Sequence, residues 1–247
     1  MNIALIGYGK MGKAIEEIAV EKGYSIVLRI SHENLEEFTT TNIQQADVCI
    51  EFSTPETAFE NVQKCLQAGV PVVCGSTAWL DRLEEVNQIC LANNTAFLYA
   101  SNFSVGVNLF FKVNKIVAGM MNAHPEYKVS MEEIHHTQKK DAPSGTAVTL
   151  AEGILENFPT IKRWVNAASV NERDLEIISK RVDPAPGTHT VQYDSEIDSI
   201  TLTHTAHSRK GFASGALLAA EFLSSRKGIY SMDDVLSINS FQKSDVS

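Results

Sequence analysis

Two stretches of this 247-residue chain carry residue types whose spacing can do chemistry. The first is Glu133-Ile134-His135-His136-Thr137-Gln138-Lys139-Lys140-Asp141-Ala142-Pro143-Ser144-Gly145-Thr146-Ala147. Histidines titrate near neutrality, so His135 and His136 can donate or relay a proton. Lys139 adds a compact, mobile positive charge. Pro143 suits the first turn of a helix that Asp141 or Ser144 would cap. Ser144, Gly145 and Thr146 would then offer backbone N–H groups and hydroxyls at a helix N-terminus, a receptor for a carboxylate or phosphate. Each residue has a plainer use, in a solvated loop or a capped helix start; their conjunction points to an anion site with a proton source. Adjacent histidines in an extended chain point in opposite directions, and no cysteine or carboxylate triad accompanies them, so no metal is expected.

The second stretch is Gly7-Tyr8-Gly9-Lys10-Met11-Gly12, a G-x-G-x-x-G loop directly after an apolar run and directly before a helical pattern. The first glycine permits a tight turn, the second lets backbone approach a pyrophosphate, and the third lets helix and strand pack closely. A tight βα turn would use the same residues, but at the start of a βαβαβ run the loop reads as a dinucleotide site. NAD preference calls for Asp or Glu about 20 residues on, whereas this chain reads Arg29-Ile30-Ser31-His32 there. Ser31 would not repel a 2′-phosphate, and Arg29, His32 or Lys10 could attract one. The expectation is NADPH and/or NADH as cofactor, with NADPH accepted at least as well. Phe52-Ser53-Thr54-Pro55 and Gly75-Ser76-Thr77 end two further strands, where ligands of open α/β sheets bind.

The elements needed to position these residues alternate regularly over the first hundred positions. Strands are expected at 2–7, 25–30, 47–52, 70–74 and 95–100, with helices at 11–22, 55–68 and 79–93 between them, and an irregular 32–46. Such alternation implies a parallel sheet. Beyond residue 105 the rhythm changes: a helix at 106–121, a strand at 127–134, a helix at 143–156, a mixed stretch at 158–187, antiparallel strands at 188–193 and 199–205, and a helix at 211–226. The fold class is therefore α/β, with an N-terminal Rossmann-like parallel-sheet domain and a smaller α+β domain on a mixed sheet. The domains are expected at 1–105, with 210–247 returning to the first, and at 106–209 for substrate binding and oligomerisation.

Composition bounds the function. The chain is 44% hydrophobic and 21% charged, enough for a sizeable core, and its formal net charge of −9 argues against a nucleic-acid partner. An acidic protein with an anionic substrate must carry local positive charge, which the Lys139 segment supplies. The N-terminal apolar run is too short for a signal peptide and no window spans a membrane, so a cytoplasmic protein is expected. Cys49, Cys65, Cys74 and Cys90 have no metal-ligand spacing and read as buried thiols.

The whole chain resembles the dihydrodipicolinate reductase family of the diaminopimelate–lysine pathway. The likeness runs through the glycine loop, E-F-S-T-P, G-S-T, Ala100-Ser101-Asn102-Phe103-Ser104-Val105-Gly106 and above all H-H-x-x-K-x-D-A-P-S-G-T, then through Ile200 to His204 and Phe212-Ala213-Ser214-Gly215-Ala216. The resemblance implies that His135 is the acid/base histidine and Lys139 the proton donor. It implies that His136, Gly145 and Thr146 hold the carboxylates of a small dicarboxylate substrate, with Ser144 beside them. Gly75, Ser76, Thr77, Ala100, Ser101, Asn102 and Phe103 would line the nicotinamide, and Gly7, Tyr8, Gly9, Lys10, Met11, Gly12, Ser31 and Phe52 would complete the cofactor site. It also implies a homotetramer built through the second domain. Ser31 departs from the usual acidic ribose contact, Glu51 from a common Asp, Ser76 from a threonine, and 180–190 from the usual glycine-acid run before His189. A different reductase on the same fold would not need the His135–Thr146 anion pocket, and a dinucleotide sensor would have no use for Lys139.

Overall fold

A computed structural model of the chain describes residues 1–208 and 210–237. The described residues fall into two units, 1–105 with 210–237 and 106–208. The expected return of 238–247 to the first unit lies outside them.

The first unit is a six-stranded parallel sheet. Its strands are β1 (Asn2–Ile6), β2 (Ser25–Ile30), β3 (Val48–Glu51), β4 (Val72–Cys74), β5 (Ala96–Tyr99) and β11 (Gly228–Tyr230), in the order β11-β5-β4-β3-β1-β2. Alternate residues of β1 serve opposite faces, as a strand's period of two requires. Ala4 and Ile6 join a core with α3 (Pro55–Gln67) and α4 (Leu83–Ala92). Ile3 and Leu5 join one with α1 (Lys10–Glu21) and α7 (Lys210–Leu223). A strand covered on both faces reads as a continuous apolar run, as N-I-A-L-I does. All four cysteines are buried and free.

The second unit is a mixed sheet of order β10-β9-β6-β8-β7. Here β6 (Lys128–His135) pairs parallel to β8 (Asp174–Arg181) and antiparallel to β9 (Thr188–Asp194); β8 pairs parallel to β7 (Arg163–Val165), and β9 antiparallel to β10 (Ser199–Thr205). One face is packed by α5 (Val105–Met121) and α6 (Gly145–Leu155), with Phe110, Leu150 and Ile154 against Met131, Leu175, Ile177 and Val191. Burying each such side chain contributes about 1.5–3 kcal/mol.

Several elements depart from the sequence expectation. The 32–46 stretch holds a 3-10 turn at Leu35–Glu37 and the short α2 (Thr40–Ile43), capped by Thr39. The expected helix 79–93 opens with a separate 3-10 turn, Leu80–Arg82. The mixed 158–187 stretch supplies β7 and β8, both parallel to β6. Pro143 lies before the N-cap Ser144 and not in the first turn of α6. The strand β11 and the helix α8 (Met232–Val235) had no strong periodic signal because each is only one short turn or pleat long.

Candidate active site

All five expected cofactor segments end strands at the carboxyl edge of the parallel sheet. Sheet order places β1 between β2 and β3, so the glycine loop sits at the switch point where α/β sheets bind ligands. Gly7 and Gly12 stand where close packing leaves no room for a side chain. Gly7 adopts φ +94°, and a Cβ there would overlap the Phe52 carbonyl. A Cβ on Gly12 would lie 2.6 Å from the Gly7 carbonyl oxygen, so the helix sits hard on the strand. Gly9, the N-cap of α1, meets nothing within 4 Å and leaves open space in front of the helix N-terminus. That opening fits a pyrophosphate.

Beneath this edge lies a buried carboxylate that the sequence analysis did not assign to the site. Glu51, the last residue of β3, is fully buried; its Oε1 accepts from the Ser53 N–H at 3.0 Å and from the Ser53 hydroxyl, and its Oε2 accepts from Cys74 Sγ at 3.1 Å. Ser53 N–H also donates to Ser76 Oγ at 2.9 Å, and the Trp79 indole donates to the Ser76 carbonyl at 2.7 Å. These bonds tie the turn after Phe52 to Gly75, Ser76 and Thr77. Asn102 Oδ1 accepts from Ser104 N–H at 2.9 Å and shapes the segment after Ala100 and Ser101, while Phe103 is buried against Phe52 with ring centroids 5.6 Å apart. At the end of β2, Ser31 is bound to Asn34 through its N–H at 2.9 Å. The Arg29 guanidinium is held by Glu16, which Tyr8 also contacts. Lys10 and His32 remain exposed.

In the second unit, β6 turns Met131, Glu133 and His135 inward and Glu132 and Ile134 outward. The inward row thus changes from core to chemistry within one strand. Glu133 has no exposed surface, and both its oxygens accept the Ser144 backbone N–H, at 3.2 and 3.1 Å. Ser179 Oγ donates to Oε1 at 2.7 Å. Around it stand Arg181 NH1 at 3.5 Å, His135 Nδ1 at 3.5 Å and His189 Nε2 at 3.7 Å. Burial alone would raise the Glu133 carboxyl, but hydrogen bonds from His189, Ser144 and Ser179 hold it well below the carboxylate range. Burial, reinforced by His189, Lys139 and Arg181, pushes His135 down to about 4 against the pull of Glu133, so its imidazole is neutral at pH 7.

Lys139 sits on the loop between β6 and α6, its Nζ 2.9 Å from Asp141. Burial works against the Asp141 anion, but the hydrogen bond and charge of Lys139 hold its carboxyl below the ordinary value. Arg181 secures this loop by its main chain, donating from Nε to the Lys139 carbonyl at 3.3 Å and from NH2 to the Asp141 carbonyl at 2.6 Å. Ser144 is buried: it caps α6 through the Ala147 N–H at 3.2 Å and meets His189 Nε2 at 3.1 Å. Gly145 is exposed, with open space at its Cβ position. His136 has its carbonyl bonded by Lys139 N–H at 3.1 Å and its ring outside the Glu133 cluster, near Asp183.

Glu133, His135 and His189 are of metal-ligating types, with one donor atom each within 4.8 Å of the others. Yet Ser144 and Ser179 already fill the carboxylate oxygens, and the cations Arg181 and Lys139 stand beside the group, so the arrangement suits proton handling better than a divalent cation. Sequence reading singled out His135, Lys139 and Ser144 but missed Glu133, Ser179, Arg181 and His189. For Glu133 a signal existed: it holds an inward strand position between Met131 and His135. The others arrive from β8 and β9, more than 30 positions away along the chain.

A glycine loop at the switch point of a parallel sheet, in a chain whose second unit carries the Glu133–His135–Lys139 cluster ahead of a helix N-terminus, places this chain among the pyridine-nucleotide oxidoreductases. It belongs to the dihydrodipicolinate reductase family: the family's N-terminal region matches residues 1–103 and its C-terminal region residues 106–236. A 4-hydroxy-tetrahydrodipicolinate reductase of Christiangramia forsetii is 48% identical over 96% of this chain and 98% of its own length. That of Neisseria meningitidis is 31% identical over 91% of this chain and 84% of its own. The solved structure of a dipicolinate-bound dihydrodipicolinate reductase from Paenisporosarcina shares the fold, with TM-score 0.76 at 24% identity over 94% of this chain and 97% of its own.

Proposed function

We propose that the protein catalyses the NAD(P)H-dependent reduction of 4-hydroxy-tetrahydrodipicolinate to tetrahydrodipicolinate, in the diaminopimelate–lysine pathway. The observation that carries this reading is the Lys139 loop that leads into α6: the Lys139 ammonium pairs with Asp141, Arg181 holds the loop's carbonyls, and Glu133 holds the Ser144 N–H at the helix cap. Loss of water from the 4-hydroxy ring gives a conjugated cyclic imine; its reduction takes one hydride at carbon and one proton on the enamine that results, so the overall products are tetrahydrodipicolinate, the oxidised nicotinamide and water. The reduced nicotinamide supplies the hydride. Lys139 gives the proton, since His135 is neutral at pH 7. The ammonium also offsets negative charge as it develops. The Gly145 and Thr146 N–H groups, with His136 beyond them, orient a substrate carboxylate.

On the cofactor side, Gly7 to Gly12 hold the pyrophosphate, Ser31 faces the adenosine ribose, and Phe52, Gly75 to Thr77 and Ala100 to Phe103 line the nicotinamide. NADPH is accepted at least as well as NADH, since Ser31 carries no charge and Lys10 and His32 are exposed. The assay is loss of nicotinamide absorbance with each cofactor, the substrate being generated in place from pyruvate and aspartate semialdehyde by the preceding synthase. Oxidation that needs both precursors supports the reaction. Cofactor binding without turnover would point to a sensor, and a strong NADH preference would overturn the cofactor reading.

The partners proposed are a small dicarboxylate and further copies of the chain in a homotetramer. The second unit has a suitable face: opposite its helices run the pairs Thr205–Thr188, Thr203–Thr190 and Thr201–Gln192, with Glu132 and Lys180 beside them. Among the described residues no helix is long and apolar enough to cross a membrane. A cytoplasmic location is proposed with the pathway.

A further inference from the structure

We propose that Glu133 is a positioning residue for this reduction: it pins the start of the anion-receiving helix and keeps the proton of His135 on Nδ1. The proposal rests on the function above and concerns how its site is held. A carboxylate with no exposed surface is expensive to bury unless its lone pairs are answered, and removing one partner of such a group is strongly destabilising. Here the answers come from four elements. The α6 cap supplies Ser144 N–H, β8 supplies Ser179 and Arg181, β9 supplies His189, and β6 itself supplies His135. Lys139 and Asp141 complete the charged groups facing the cluster.

Two consequences follow for the chemistry. Ser144 spends its N–H on Glu133 and its hydroxyl on Ala147 and His189, so it serves from inside the protein. The next residue of the helix start, Gly145, is exposed, and the direction of its N–H is set by where Glu133 holds the cap. Second, His135 Nδ1 lies 3.5 Å from Glu133 Oε2 and has no hydrogen-bond partner of its own. A lone pair there would face a carboxylate, whereas an N–H faces it favourably. The proton therefore stays on Nδ1, and Nε2 keeps the lone pair through which the ring can exchange a proton with the site. The opposite tautomer would set the Nδ1 lone pair against the Glu133 carboxylate and turn Nε2 into a donor.

The test uses the full chain labelled with 15N-histidine at neutral pH, the His135 signals being assigned by their loss in His135→Asn. The wild type should show His135 as the Nδ1–H tautomer. In Glu133→Gln the population should move toward Nε2–H and kcat should fall at least tenfold, with the KM for the nicotinamide cofactor within twofold. Glu133→Asp, which keeps the charge but shortens the reach, should keep the tautomer and recover part of kcat. A merely structural role would lower the folded fraction without moving the tautomer. An Nε2–H ring in the wild type, or wild-type kcat in Glu133→Gln, overturns the proposal. Should Glu133→Gln not fold, the wild-type tautomer alone decides. Absence of reductase turnover in the wild type would instead defeat the functional reading, and the tautomer result would still stand by itself.

Discussion

The roles proposed for Lys139 and His135 each make a prediction at the scale of one side chain. General acid catalysis contributes about 10²–10⁴-fold, so Lys139→Ala should lower kcat by at least about 100-fold while the cofactor KM stays within twofold. Steady-state kinetics with both substrates varied checks this, and turnover within a few-fold of wild type would remove Lys139 from its role. His135 bears on stability through its depressed value of about 4, against 6.5 for a free histidine. Between those limits the unfolded chain binds the extra proton, so stability contributed by the neutral ring is complete above about pH 6.5 and is lost as pH falls toward 4. Thermal melts of wild type and His135→Asn from pH 7.5 to 4.5 should therefore converge on acidification. Parallel melts would contradict a buried neutral ring. At this scale the sequence disclosed the residues that are close along the chain. Glu133 was hidden by its ordinary look within a strand, and Arg181 and His189 by their distance from the segment they serve.

Among elements, the glycine loop was legible because Gly7 and Gly12 answer two separate steric demands, each visible at its place, while Gly9 leaves open space before α1. That separation can be tested. Gly12 touches the Gly7 carbonyl and Gly9 touches nothing, so the same added methyl should act differently at the two sites. Gly9→Ala should leave the melting temperature within about 2 °C and raise the cofactor Kd at least tenfold by filling the space before the helix N-terminus. Gly12→Ala should instead destabilise the fold, by about 1–3 kcal/mol as for other overpacked sites. Differential scanning fluorimetry with and without cofactor, plus cofactor titration, separates the two. Equal loss of stability in both would mean that the open space at Gly9 is not the ligand's. The same clarity does not extend to Pro143, whose fixed φ fits a first helical turn but also the residue ahead of a cap. Ser144 takes the cap because its hydroxyl reaches the Ala147 N–H, which leaves Pro143 outside.

For the whole molecule, the α/β class and the mixed second sheet were legible from strand–helix alternation and its loss after residue 105. Less legible was what completes each sheet. Three-residue strands such as β7 and β11 are too short for a period to register, and they form only because a neighbouring strand offers them an edge. An edge raises the matter of assembly. In the second sheet β10 is terminal, seven residues long, and carries Ile200, Thr201, Thr203 and Thr205 exposed. Monomeric proteins protect such strands with charges, prolines or bulges, and this one has none of these among its seven residues. Its threonines also continue onto β9 through Thr190–Thr203 and Thr188–Thr205 hydroxyl contacts at 3.2 and 3.4 Å, giving an uncharged strip along this edge that another copy could meet. Light scattering on the wild type should therefore report about four chain masses. Thr203→Lys, which places one charge per chain on that face, should reduce the mass to a dimer or monomer, while the far-UV spectrum and cofactor Kd stay unchanged because the parallel-sheet unit is untouched. A monomeric wild type would overturn the tetramer outright. A tetramer indifferent to Thr203→Lys would keep the assembly but move its interface off the threonine face.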